Sequence, residues 1–141
     1  MLRMIERKAL SLAAARRCVD TILDAAIKDG DRPVAVAVVD ERGDLVAFGR
    51  MDGTATAPQT YARKKAYTAA MSRSVTAEFA ERLRSQGRAV ADYGDPGLIA
   101  MQGGVPVLSG GVFLGGIGVS GRTAQQDEDL CTLGLKAMAL P

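Results

Sequence analysis

The chain has 141 residues, and its 18 Lys and Arg against 16 Asp and Glu leave a formal net charge of only +2. The two signs are interleaved, which excludes the basic stripe of a nucleic-acid interface, and no apolar run approaches the length of a membrane span. There is no histidine and no tryptophan, so Ser-His-Asp and Cys-His nucleophile systems, imidazole bases and the usual His-containing zinc sites are all excluded.

Met1 to Lys8 carries charge on both sides of a short apolar part, which is not the pattern of a secretory signal, so the cytoplasm is the expected compartment. Ser11 then caps a run in which Leu12, Ala15, Val19, Ile22, Leu23 and Ala26 recur at helical spacing, closed by Asp29-Gly30. Val34 to Asp40 and Leu45 to Met51 read as a hairpin turning at Gly43. Ala57 to Arg73 returns to the helical period, with Pro58 in the first turn and a small-residue face of Ala62, Ala66, Ala69 and Ala70. Ser74 and Thr76 offer caps for a further helix from Ala77 to Ser85. Arg88 to Gly104 is glycine-rich and irregular, of the kind that often borders a site.

Val105 to Leu108 and Val112 to Val119 form a second hairpin about Ser109-Gly110-Gly111. Its later strand lacks side chains at Gly115, Gly116 and Gly118, so another backbone, a helix or a ligand must approach it closely. A last helix, from Ala124 to about Ala139, opens on acidic side chains that suit its positive end. No Pro- or Ser-rich stretch divides the chain, which is expected to be one domain, residues 1–141, of α/β (α+β) type with an antiparallel sheet covered by helices. Cys18 and Cys131 read as buried free thiols.

Three polar clusters at element ends carry the candidate chemistry. Arg50 and Asp52 are either strand-end turn and ion-pair residues or ligand groups. Lys64 and Lys65 point about 100° apart on their helix, so at most one faces the sheet, and Lys65 is the better placed. An inward lysine without a carboxylate partner would serve as a base or bind an anion. The backbone amides of Ser120, Gly121 and Arg122 could hold a carboxylate at the start of the last helix, or the glycines there could serve packing alone. Their resemblance to a dinucleotide fingerprint is misplaced, because they lie inside a late strand.

Five segments in order make the chain resemble the GlcG/HbpS-like, or DUF336-type, family: Val36-Ala37-Val38-Val39-Asp40, Arg50-Met51-Asp52-Gly53, Ala62 with Lys65-Ala66 and Thr68-Ala69, Gly103-Gly104-Val105-Pro106-Val107, and Gly115 to Gly121 continuing to Gln126-Asp127-Glu128. The resemblance implies a profilin-like sandwich, a central antiparallel sheet flanked by helices, assembled as a homo-oligomer. It also implies haem or corrinoid-linked relatives. Without histidine, a haem here would need Tyr61, Tyr67, Tyr93, a Cys or a Met as axial ligand.

The sequence thus leads to three readings. The first is a catabolic enzyme of isomerase, tautomerase, hydratase or lyase type, with no organic cofactor, acting on a small carboxylate. Arg50, Asp52 and the Ser120-Gly121-Arg122 stretch would bind the substrate, and Lys65 or Asp127 would move the proton. The second is a haem or tetrapyrrole binder, and the third an oligomeric accessory protein without a ligand. Neither nucleic acid nor membrane is an expected partner. No metal is expected, because Asp52, Asp127 and Glu128 have no metal-ligand spacing.

Overall fold

A computed structural model describes residues 1–141. The first helix, α1, spans Leu12–Asp29, with the Ser11 hydroxyl accepting from the Ala14 amide and Gly30 closing it in the left-handed conformation. Strands β1 (Ala35–Asp40) and β2 (Leu45–Arg50) form the first hairpin, and β3 (Gly104–Ser109) and β4 (Val112–Ser120) the second. Between the hairpins lie α2 (Thr56–Ser72), α3 (Thr76–Ser85) and the irregular segment, relieved only by a short 3₁₀ turn at Val90–Tyr93. Helix α4 spans Ala124–Ala137. No helix is long and apolar enough to cross a membrane.

One local expectation is corrected. Ser74 and Thr76 do not cap α3, whose N-cap is Val75 without a side-chain bond. The Thr76 hydroxyl is instead buried and accepts from the Gly104 amide at 2.9 Å, tying α3 to the start of β3. At α4 the acidic first turn is present in Asp127, and Thr123, paired reciprocally with Gln126, adds a capping box.

The strand order β2-β1-β4-β3 puts the two hairpins side by side through antiparallel pairing of β1 with β4. Alternation then separates two faces. Val34, Val36, Val38, Val105, Val107, Ile117 and Val119 point to one side and pack with α1 and α4, in a cluster that includes Ile22 and Cys131. Ala35, Ala37 and Val39 point to the other, under Ala62, Ala66 and Ala70 of α2. The result is an α+β sandwich, with helices on both sides of an antiparallel sheet.

The glycines of β4 explain how closely α2 sits. A Cβ at Gly116 would fall on the Ala66 carbonyl oxygen, and one at Gly118 on that of Ala62. The close approach foreseen for this strand is therefore helix backbone over strand backbone, with alanine on one partner and glycine on the other.

Candidate functional site

Because α2 lies this deep, a side chain leaving it toward β3 can cross the end of β4. Lys65 does so. It is 1% exposed, and its Nζ donates to the Val119 carbonyl at 2.9 Å and to Asp127 Oδ2 at 3.1 Å. The path is open because residue 103 has no side chain: a Cβ there would lie 2.7 Å from Lys65 Nζ and 3.1 Å from Asp127 Cβ. Gly103 also has φ +122°, a conformation that other residues adopt only under strain.

Asp127, 2% exposed, is held from two sides. Its Oδ1 accepts from the Arg122 amide at 3.0 Å while Oδ2 takes the Lys65 bond. Burial pushes the carboxyl above its ordinary range, and the Lys65 charge and the Arg122 amide oppose that shift without cancelling it. The pair forms the floor of a cleft of about 230 Å³, bordered by Met101, Gln102, Ser120 and Arg122. Ser120 is buried, and its hydroxyl has no partner within the chain although it is not sealed from the cleft. Lys65 retains one unspent N–H of its three. The cleft can therefore offer a cationic donor, a hydroxyl and a carboxylate to one small molecule.

The sequence candidates divide accordingly. Lys65, Asp127, Ser120 and Arg122 come together, and the inward member of the lysine pair is Lys65. It is not an unpaired lysine, since Asp127 neutralises it. Of the three amides expected to cradle a carboxylate there, that of Arg122 is taken by the chain's own Asp127 and is not free for a substrate. The Arg122 side chain is structural: its guanidinium, with 4% exposure, grips Asp29 at 2.6 and 2.8 Å and the carbonyls of Ala26 and Arg32, locking the end of α1 to the β4–α4 turn. Gly121 leaves room for the Pro33 carbonyl.

Arg50 and Asp52 stand apart. Arg50 and Ser120 flank Ala35 from opposite sides in register, yet Arg50 is exposed and donates to Gln59 Oε1 at 2.8 Å. Asp52 is exposed in the turn that follows β2, and neither residue borders the cleft. Met101 and Gln102 border it without having been singled out; the one signal was their place beside Gly103-Gly104 in the irregular segment. No group of three Cys, Asp or Glu side chains converges as a metal site would require.

The family described as haem degrading protein HbpS-like matches residues 10–136 of this chain. The chain belongs to that family. Protein GlcG of Escherichia coli strain K12 is 39% identical over 87 residues, 62% of this chain and 63% of GlcG, so the chain spans less than two thirds of that relative. The crystal structure of a double mutant of HbpS from Streptomyces reticuli superposes with a TM-score of 0.85 at 34% identity, covering 94% of this chain and 89% of the other. The structure of a PduOC:haem complex superposes at 0.83 with 26% identity, covering 92% and 95%.

The family implies haem, and the donor chemistry of this chain can be tested against it. Cys131 and Cys18 are sealed, and burial pushes the Cys18 thiol up to about 12 and that of Cys131 well above its ordinary value. The Tyr67 hydroxyl is spent on Asp95 at 2.7 Å, a bond that raises its pKa and opposes tyrosinate. Of the other candidate donors, Tyr61 is exposed outside any such groove, and Met71 and Tyr93 share a groove of about 310 Å³ with Phe79, Leu98 and Arg82.

Proposed function

We propose that this chain binds a small carboxylate metabolite in the Lys65–Asp127 cleft and moves a proton on it, as an isomerase, tautomerase, hydratase or lyase without an organic cofactor. The observation that carries the reading is the buried ion pair at the floor of a polar cleft whose Ser120 hydroxyl and third Lys65 N–H are both unspent. Stability does not account for such a pair. Desolvating two charges costs several kcal/mol, and apolar side chains of similar volume commonly serve a core as well or better.

In this reading Lys65 and Ser120 hold the substrate oxygen on which negative charge develops, and Asp127 Oδ2 accepts a proton from the neighbouring carbon. Burial raises the carboxyl toward the operating range of a base, so its affinity for that proton exceeds that of an exposed aspartate. The cleft lies below the roughly 300–1,000 Å³ of drug-sized pockets, which restricts the substrate to a few heavy atoms.

Thermal shift against two- to four-carbon hydroxy- and oxo-carboxylates tests binding, since a ligand of the folded state alone must raise the Tm. Ser120→Ala should abolish the shift while leaving the unliganded Tm near wild type, and loss of solvent deuterium exchange at the substrate carbon in Asp127→Asn tests the proton step. A carboxylate whose shift survives Ser120→Ala would place it elsewhere.

A second reading, haem or tetrapyrrole binding, is favoured by the family description and by the groove beside α3. Met71 and Tyr93 would hold the iron there, Phe79 and Leu98 would cover the ring and Arg82 would pair with a propionate. Bound haem would supply redox and oxygen chemistry. Titration with hemin reads it directly: a saturable Soret shift lost in Met71→Ala or Tyr93→Phe supports it, and a spectrum indifferent to both removes it.

A further inference from the structure

On the opposite side of α2 from Lys65, a second cleft of about 380 Å³ lies between that helix, the β1–β2 hairpin and the irregular segment. Its wall is the Tyr67 ring, clamped between two residues without side chains. A Cβ at Gly43 would lie 2.6 Å from one edge of the ring, and a Cβ at Gly97 would lie 2.7 Å from the other. The ring cannot turn freely, because its hydroxyl donates to Asp95 Oδ2, whose Oδ1 accepts from the Gly97 amide at 2.9 Å. Val39 and Leu45 add apolar surface, and Leu45 is 52% exposed. The cleft therefore presents a fixed aromatic surface over an apolar floor.

Its rim is cationic. Arg63 and Lys64 border the cleft with Thr60, and neither forms an ion pair; Arg63 makes only a long bond to the Gln59 carbonyl. The acids of the adjoining turn do not pair with either cation. Asp40 accepts from the amides of Arg42 and Asp44, Asp44 pairs with Arg42 at 2.9 Å, and Glu41 does not border the cleft. Two unneutralised cations and a hydroxyl at the mouth of an aromatic cleft attract an anion that carries a flat apolar body. Guanidinium and ammonium suit its carboxylate, and offset stacking on Tyr67 suits its ring.

We propose that this cleft is a second ligand site, for an aromatic carboxylate of one or two fused rings. The volume falls within the range of small-molecule clefts and exceeds that of the Lys65 site, so the two sites select by size as well as by shape. Lys64 and Lys65, adjacent in sequence, serve different sites because the helix turns them apart.

The test uses the full chain with its three tyrosines carbon-13-labelled in the ring, titrated with 2-naphthoate. The expected result is saturable binding that moves the Tyr67 ring signal and leaves those of Tyr61 and Tyr93 in place. The double variant R63A/K64A, which changes only rim residues, should weaken binding at least about tenfold. Cyclohexanecarboxylate, matched in charge but not flat, should bind more weakly still. Ser120→Ala should leave the 2-naphthoate titration unchanged. The proposal is overturned by a titration indifferent to R63A/K64A, by shifts confined to Tyr61 or Tyr93, or by loss of binding in Ser120→Ala. None of these outcomes bears on the small-carboxylate reading unless Ser120→Ala is the variant affected.

Discussion

The two faces of one sheet are built on different rules. Toward α1 and α4 the strands present Val, Ile and Leu, and sixteen buried residues interdigitate there. Toward α2 the same strands present Ala and Gly, and the buried apolar cluster has six residues, five of them alanine. The first face gains stability from apolar volume. The second gains proximity, and it carries the proposed site: α2 sits so low that Lys65 reaches past Gly103 to an aspartate on a helix of the other layer. A face of larger side chains would raise α2 and leave that ammonium short of Asp127. Thin packing is what makes the buried ion pair possible.

Substitutions on β4 separate the two rules. Gly118→Val puts a branched side chain into the α2 backbone and is expected to cost about 5 kcal/mol, the exceptional end of single-substitution effects, with loss of cooperative urea unfolding as the measured sign. Lys65→Met leaves Asp127 buried without its cation and should cost about 3–5 kcal/mol in the same assay. The double variant Lys65→Met/Asp127→Leu should recover most of that loss, and strict additivity of the two changes would show that they do not form a unit. Ile117→Val, the neighbour of Gly118 on the opposite face, removes one methylene and should cost only about 1 kcal/mol; a larger loss than for Gly118→Val would invert the comparison.

The smallest effect concerns the strut beside the site. Asp29 lies below its ordinary value of 3.8 because the Arg122 guanidinium and then the Asp31 amide bond its carboxylate. A carboxyl lowered on folding contributes stability that is present above pH 3.8 and is lost as pH falls through the folded value. Unfolding midpoints of wild type and Asp29→Asn should therefore differ at pH 6 and converge as pH falls through the lowered folded value, and a gap that persists once the carboxyl is protonated would assign the effect to something other than this charge.

The helices and hairpins were legible because their signals are local. Ser11 before an amphipathic run, Gly30 after it and alternating Val between turn residues each act over a few residues, and each element lies within about two residues of its expected limits. The α3 cap was misread because Thr76 had a tertiary partner, the Gly104 backbone, that outcompeted its own helix. The site was legible in part for the same reason. Helical phase chose Lys65 over Lys64, whereas Ser120 was expected to act through its backbone amide and it is the hydroxyl that meets the cleft. Arg122 belonged to the site's scaffold rather than its ligand groups, since its bonds go to α1, more than ninety residues away in sequence.

Sequence alone therefore determined the elements, their order, the glycine strand awaiting close company and the family, because each is written in residue types at short spacing or in an ordered set of motifs. Tertiary structure alone decided which charges meet. Asp127 and Lys65 are 62 positions apart, and their contact depends on the β1–β4 pairing, the depth of α2 and the missing side chain at Gly103. Those are properties of packed layers, in which a difference of one ångström joins two charges or leaves each in water.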